Sequence, residues 1–267
     1  MPGLHVFLIN LDRSPERLAH MRAQADAAGI TFERVSGVDG ATMTQPFLDN
    51  TFADYLSPGE RGCYASHLLC CHKILEQNLP HALILEDDAV LGDSAVRIAT
   101  DAVTRVPKGW DFIQASGLPR HATVQVAALG HANALVQYSR RPPFNATGYL
   151  MSAAGAAKFL SPRHRIVPND NDVRRQAVFK FNVYGIEPRI IAPETAFVSE
   201  AGHNDTVSRR YRTIERAGRL QDWLWRVQQI GPLGMMKCSI DNTLHRFVVR
   251  GARHRLRNAG QKSSKVE

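Results

Sequence analysis

The chain opens on a short apolar run, LHVFLI at residues 4–9, which passes into the polar NLDRSPER and then into apolar positions at Leu18, Met21, Ala25 and Ala28. That change of period predicts a buried strand, a turn, and a helix that starts at Ser14 and Pro15 and closes at Gly29. TFERV at 31–35 predicts a second strand, and residues 41–55, which hold no firm period, are expected to run over the surface. Ser57, Pro58, Gly59 and Glu60 match a capping box and predict a helix to about Gln77, with Tyr64, Leu68, Cys71 and Leu75 at helical spacing. A second apolar run, Ala82 to Leu85, predicts a strand buried on both faces. Beyond it the pattern predicts a helix over 95–106, a strand over 110–115, a strand around Gly148 and a short helix rich in small residues. Residues 117–138 show no dominant period and are expected to form a flap; 183–192 read as strand around a turn at Pro188. Strands alternating with helices predict an α/β fold.

The apolar run 82–85 ends abruptly in Glu86, Asp87 and Asp88. Three adjacent anions at the edge of a core repel one another and lose hydration, so a divalent cation or a set of donors is expected to compensate them. At the carboxyl end of a sheet strand, that points to a metal holding a phosphorylated ligand. Strand alternation sends Glu86 and Asp88 to one side and Asp87 to the other. A merely solvated acidic turn accounts for the same three residues. A second acidic focus, VPNDND, places Asp170 and Asp172 two apart, as a general base or a ligand contact, although an Asx-turn reads the same way.

Other polar residues gather at predicted strand and helix ends. Asn10, Asp12, Arg13 and Arg17 follow the first strand, where a sheet of this class receives its ligand; Asn and Asp suit a base or ribose, and Arg suits phosphate. A polar helix cap is the alternative. Ser66 and His67 ride on the long helix; adjacent helical positions diverge by about 100°, so they form no diad but are candidates to line a site. His203, in AGHNDTVSRR, is a candidate metal ligand or phosphate contact that competes with a solvated loop histidine.

At 267 residues and 44% hydrophobic, the chain suffices for one large domain, or one domain with an appendage. No run approaches the roughly 18 to 20 apolar residues of a membrane span, and no cleavable signal pattern precedes the first strand, so the body is expected in the cytosol. Cys63, Cys70, Cys71 and Cys238 lack CxxC spacing and are expected to be reduced; zinc at Cys63, His67 and Cys71 is the competing reading of the i, i+4 spacings. The charge is uneven: residues 209–267 carry +10 and residues 1–208 carry −2. In the basic part, Leu220, Trp223, Leu224, Val227 and Ile230 recur at helical spacing, and Leu244, Phe247 and Val248 repeat the pattern beside five arginines. Such faces suit an anionic membrane surface, with packing on the body as the competitor for the first segment. No nucleic-acid motif accompanies the basic region, and no partner of that kind is expected.

Taken in order, VFLINLDRSPER, SPGERGCYASH, ALILEDDAVL, TGYLMSAAGAAKFL and PNDND resemble the lipooligosaccharide galactosyltransferases of glycosyltransferase family 25, over roughly residues 4–208. The resemblance implies a GT-A-like, Rossmann-related nucleotide-sugar-binding domain over 1–208, followed by a basic helical segment over 209–267. It implies a metal-dependent, inverting transfer from a UDP-sugar, usually UDP-galactose, to a lipid-linked lipopolysaccharide or lipooligosaccharide glycan. Carried over, Glu86 and Asp88 become metal-diphosphate contacts for Mn²⁺ or Mg²⁺, joined in this reading by His203. Asn10, Asp12, Arg13, Arg17, Ser66, His67 and Asp87 fall on the donor side. Asp170 or Asp172 is the expected base, and the basic segment would hold the domain on the inner face of the cytoplasmic membrane. A non-catalytic relative in surface-polysaccharide assembly is the rival reading.

Overall fold

The structure, a computed structural model, describes residues 3–44, 50–130, 132–143, 145–197 and 205–243, with the backbone alone for 205–209. His203 and residues 244–267, with the second amphipathic segment expected there, lie outside the described residues.

The first βαβ unit follows from the sequence pattern. Strand β1 (Val6–Asn10) leads into helix α1 (Pro15–Ala28), which ends at Gly29 in the left-handed region with φ 62°. Strand β2 (Glu33–Ser36) then pairs parallel with β1. Helix α2 (Pro58–Glu76) carries the capping box in full: the Ser57 side chain accepts from Glu60 N, and the Glu60 carboxylate accepts from Ser57 N. Two orphan amides of the helix start are satisfied in this way. The loop after β2 lies directly on that first turn, because a Cβ on Gly62 would meet Val38 O at 2.5 Å and one on Gly40 would meet Pro58 O at 1.8 Å.

Strand β3 (His81–Glu86) joins β1 on its other side, also parallel. A tight turn through Asp87 and Asp88 leads to β4 (Ala89–Leu91) and helix α3 (Ala95–Arg105). Next come β5 (Phe112–Gln114), β6 (Thr123–Ala128), β7 (Ala134–Tyr138) and β8 (Gly148–Ser152). Three helices follow, α4 (Ala153–Leu160), α5 (Asn169–Val173) and α6 (Gln176–Phe179), separated by short turns. After β9 (Val183–Glu187) and β10 (Ile191–Pro193), helix α7 (Asp205–Ile230) and a further helix α8 over 232–243 complete the described chain.

The main sheet has eight strands in the order β2-β1-β3-β8-β5-β9-β7-β6, and β4 pairs with β10 in a small antiparallel ribbon. Parallel pairing at β2-β1-β3 gives way to antiparallel pairing where β8 meets β3 and β5. The α/β architecture expected from the sequence is therefore present. Both faces of the sheet are covered. On β3, Ala82 and Ile84 pack into the core beneath α2, while Leu83 and Leu85 pack into the one beneath α1 and α3. Each of these larger side chains is fully buried and contributes on the order of 1.5–3 kcal/mol.

Two expectations are corrected. The flap expected over 117–138 is a β-hairpin, β6 with β7; a register shift between Gln125 and Ala127 breaks the alternation that would have revealed it. The excursion at 41–55 contributes to the core through Phe52 and Ala53, because residues 51–53 bond to Arg165. Pairing with a partner so distant in sequence leaves no local period.

Candidate active site

The site forms where β1 and β3 end. Glu86 continues the face of Ala82 and Ile84 and points toward α2, where its Oε1 lies 3.0 Å from His67 Nε2 and accepts from the Cys63 thiol at 3.7 Å. His67 is fully buried, and its Nδ1 is 2.8 Å from the Tyr149 hydroxyl, so Tyr149, His67 and Glu86 form one line of polar contacts from β8 through α2 to the end of β3. Cys63, His67 and Glu86 bring three possible ligand atoms within 4.8 Å of one another, the set among the described residues able to hold a metal ion. Burial, with the negative charge of Glu86, pushes the Cys63 thiol well above its ordinary range.

Asp87 points the other way. Its Oδ2 accepts from Asn10 Nδ2 at 2.8 Å, and its Oδ1 pairs with Arg17 at 3.1 Å. Asn10 spends its remaining polar capacity on Ser14 O and on Arg34 Nε. Asn10, Arg17 and Asp87 are thus bound to one another and fix the turn after β1 against the turn after β3. In this geometry they hold the acidic corner in place.

Asp88 is different again. Its backbone carbonyl accepts from Glu194 N at 2.7 Å, yet its Oδ1 is buried with no partner among the described residues. Burial, reinforced by the charges of Glu86 and Asp87, pushes Asp88 up to about 7. A partnerless buried carboxylate oxygen beside a second carboxylate fits a site built around a cation.

The acidic turn at 169–173 is a short helix. Asp172 is buried, and both of its oxygens are engaged, by the Tyr64 hydroxyl at 2.7 Å and by Arg175 at 2.8 Å. Asp170 accepts from Asn171 N at its Oδ1, at 2.9 Å. Burial and the charge of Glu86 push Asp170 up to about 7. Neighbouring Asn169 is buried with both side-chain polar atoms unpartnered among the described residues. The two aspartates therefore separate into a structural one, Asp172, and one whose proton is poised near neutrality, Asp170.

The remaining sequence candidates lie around this centre. Asp12 is exposed and bonds Arg34, which lowers its pKa; Arg13 pairs with Asp39 in the loop after β2. Ser66 is buried, donates to Gly62 O and accepts from Val38 N, both at 2.8 Å, which ties α2 to that same loop. Tyr149 and Asn169 were missed as site residues. Tyr149 sits in an apolar run that reads as core, and Asn169 in a run of turn formers. The zinc alternative narrows: Cys70 and Cys71 are buried in the core as free thiols, leaving Cys63 as the cysteine beside the acidic corner.

Helix α7 turns most of its apolar stripe outward. Tyr211, Asp222 and Arg226 face inward, and Trp225 donates to Phe181 O at 2.8 Å, whereas Leu220, Trp223 and Leu224 are exposed. Asp222 accounts for this: it is buried in an ion pair with Arg141 at 2.5 Å, and that pair sets the helix rotation. The helix crosses residues 208 and 209 without a break. No helix among the described residues is long and apolar enough to cross a membrane.

The rat probable inactive glycosyltransferase 25 family member 3 is 29% identical over 184 residues, which are 62% of this chain and 31% of that protein. The Haemophilus influenzae lipooligosaccharide biosynthesis protein lic2B is 27% identical over 97 residues, 34% of this chain and 36% of its own. The Neisseria gonorrhoeae lacto-N-neotetraose biosynthesis glycosyltransferase LgtB is 30% identical over 97 residues, 33% of each chain. The chain thus spans about a third of the length of these relatives. Among solved structures, a glycosyltransferase involved in glycosylation of the major capsid of PBCV-1 aligns over 80% of this chain and 100% of its own, with 7% identity and a TM-score of 0.40. The profile of Glycosyltransferase family 25 (LPS biosynthesis protein) matches residues 4–173, which include Glu86, Asp88, Asp170 and the helices that position them. The chain belongs to glycosyltransferase family 25.

Proposed function

We propose that the chain is an active, metal-dependent, inverting glycosyltransferase that moves a sugar, galactose in the first instance, from a UDP-sugar to a lipopolysaccharide or lipooligosaccharide glycan. The observation that carries this reading is the grouping of Glu86, Asp88 and Asp170, with Asp88 and Asp170 both pushed up to about 7. Carboxylates raised in this way are stable as anions only when positive charge or a donor arrives.

Glu86 and Asp88 would hold Mn²⁺ or Mg²⁺, for which hard oxygen ligands are suited. Such an ion supplies positive charge to the departing nucleoside diphosphate. His67, itself held by Tyr149, fixes the Glu86 carboxylate. Asp170 then accepts the proton of the acceptor hydroxyl; a base with pKa near 7 is half ionised at neutral pH and retains driving force for the transfer. Asp172 holds the short helix that carries Asp170 by bridging Tyr64 and Arg175. Arg13 and Asp12, at the turn after β1, would meet the donor nucleotide, exchanging their bonds to Asp39 and Arg34 for it.

The exposed Leu220, Trp223 and Leu224 on α7 support a membrane-surface role, since an apolar stripe on a basic segment suits an anionic interface. That arrangement would keep the domain beside a lipid-linked acceptor. A second reading, a non-catalytic family member in polysaccharide assembly, is favoured by the rat relative's description as probable inactive. Thermal-shift measurement with UDP-, GDP- and CMP-sugars, with and without Mn²⁺, separates the two. A UDP-sugar shift that requires Mn²⁺ supports the enzyme; no shift with any sugar nucleotide supports the non-catalytic reading.

A further inference from the structure

A cavity of about 1510 Å³ lies away from Glu86, between the body and the two C-terminal helices. One wall is the connection from β5 to β6 and the segment after β7; the other is formed by α7 and α8. Its charge is one-sided. Arg120, Arg140, Arg189, Arg219 and Arg226 line it, while the sole lining carboxylate, Glu215, is taken by Arg141 at 2.7 Å. Asp222 is likewise held by Arg141 and by the amide of Ala177.

Arg226 stands out within this lining. It is 7% exposed, and its Nε and one terminal nitrogen are buried without a partner among the described residues. Burial pushes its pKa down to about 10, against the opposing charge of Asp222 and with the charges of Arg141 and Arg140 adding to the fall. A guanidinium buried in that state is costly, and further arginines nearby add repulsion. A planar, bidentate donor of this kind fits phosphate or carboxylate.

The cavity also meets the reaction centre. Asn145 and Arg174 line both it and the small pocket that contains Asp170 and Tyr149. It therefore approaches from the side of the candidate base. We propose that this cavity binds an anionic group, a phosphate or a carboxylate, carried on the acceptor glycan, with Arg226 at its centre and Arg140, Arg189 and Arg219 around it. Assignment to the acceptor rests on the transferase reading; the anion chemistry stands on the cavity itself.

The test uses the full chain and calorimetric titration with glucose 6-phosphate, glucose and inorganic phosphate. Arg226→Met keeps the side-chain bulk, and Arg140→Ala with Arg189→Ala removes charge without touching the buried arginine. Thermal melting and UDP binding report the folding of each variant. Glucose 6-phosphate is expected to bind the wild type more tightly than either glucose or phosphate, and each variant to weaken it about ten-fold. The anion site is overturned if glucose 6-phosphate binds no better than glucose, or if both variants bind it as the wild type does. Equal affinity for free phosphate and glucose 6-phosphate overturns the acceptor assignment and makes the site one for a free anion. If UDP-sugar binding fails in the wild type while glucose 6-phosphate binds as expected, the transferase reading falls and the anion site stands.

Discussion

His67 Nε2 lies 3.0 Å from Glu86 Oε1, and the histidine that makes this contact is fully buried. A carboxylate steered by a buried ring, itself steered by the Tyr149 hydroxyl, has its orientation set before any ligand arrives. His67→Ala is expected to lower kcat/KM and metal affinity by about 10–100-fold, the usual effect of removing a group that orients a ligand. Titration of Mn²⁺ into the variant checks this; wild-type affinity would show that Glu86 needs no such support.

The two aspartates of the short helix should respond in opposite ways. Asp170→Asn is expected to reduce kcat by about 10²–10⁴-fold with little change in melting temperature. Asp172→Ala strands the Tyr64 hydroxyl and Arg175 and is expected to destabilise the fold by about 1–3 kcal/mol. Denaturant unfolding beside steady-state kinetics separates the two roles, and the reverse pattern would exchange them.

Asp87→Ala removes an anionic partner from both Asn10 and the largely buried Arg17. A loss of about 3 kcal/mol or more is expected, because breaking a buried pair leaves the other charge uncompensated. Unfolding by urea measures it; a change below about 0.5 kcal/mol, as on an ordinary surface, would deny Asp87 its anchoring part.

The raised carboxylates set a direction for pH. Asp88 and Asp170 have folded-state pKa values near 7, above their ordinary value of 3.8, so the folded protein binds more protons than the unfolded chain between about pH 4 and 7. Their contribution to stability is present at low pH and declines as pH rises through about 7. In chelator, the melting temperature of the wild type should therefore fall between pH 5 and pH 8 relative to that of Asp88→Asn with Asp170→Asn. The same slope in both proteins would contradict the assignment.

Much of this was legible in the residues. The LHVFLI and ALILE runs, the capping box at Ser57 and Glu60, and Gly29 predicted the first half of the sheet and its helices, because each is a local signal. Alternation also separated Glu86 from Asp87, which in the structure bond to opposite sides, α2 and α1. What was not legible depends on distant partners. Asn10 reads as a ligand contact until Asp87, Ser14 and Arg34 are seen to occupy its amide. The stripe of Leu220, Trp223 and Leu224 reads equally as a membrane face or a packing face until Arg141, far away in sequence, is seen to draw Asp222 inward. The contrast between Asp170 and Asp172 likewise needs Tyr64, which is remote in sequence.

The central claim is that the carboxylates at the end of β3 form a metal-dependent transfer site. The direct measurement is UDP release from UDP-galactose in the presence of a lipooligosaccharide acceptor, with Mn²⁺ titrated into chelator-treated wild type, Glu86→Ala and Asp88→Ala. The account predicts turnover in the wild type that rises from near zero with added Mn²⁺ and is lost in both variants. Full turnover in chelator, or unchanged turnover in both variants, would contradict it.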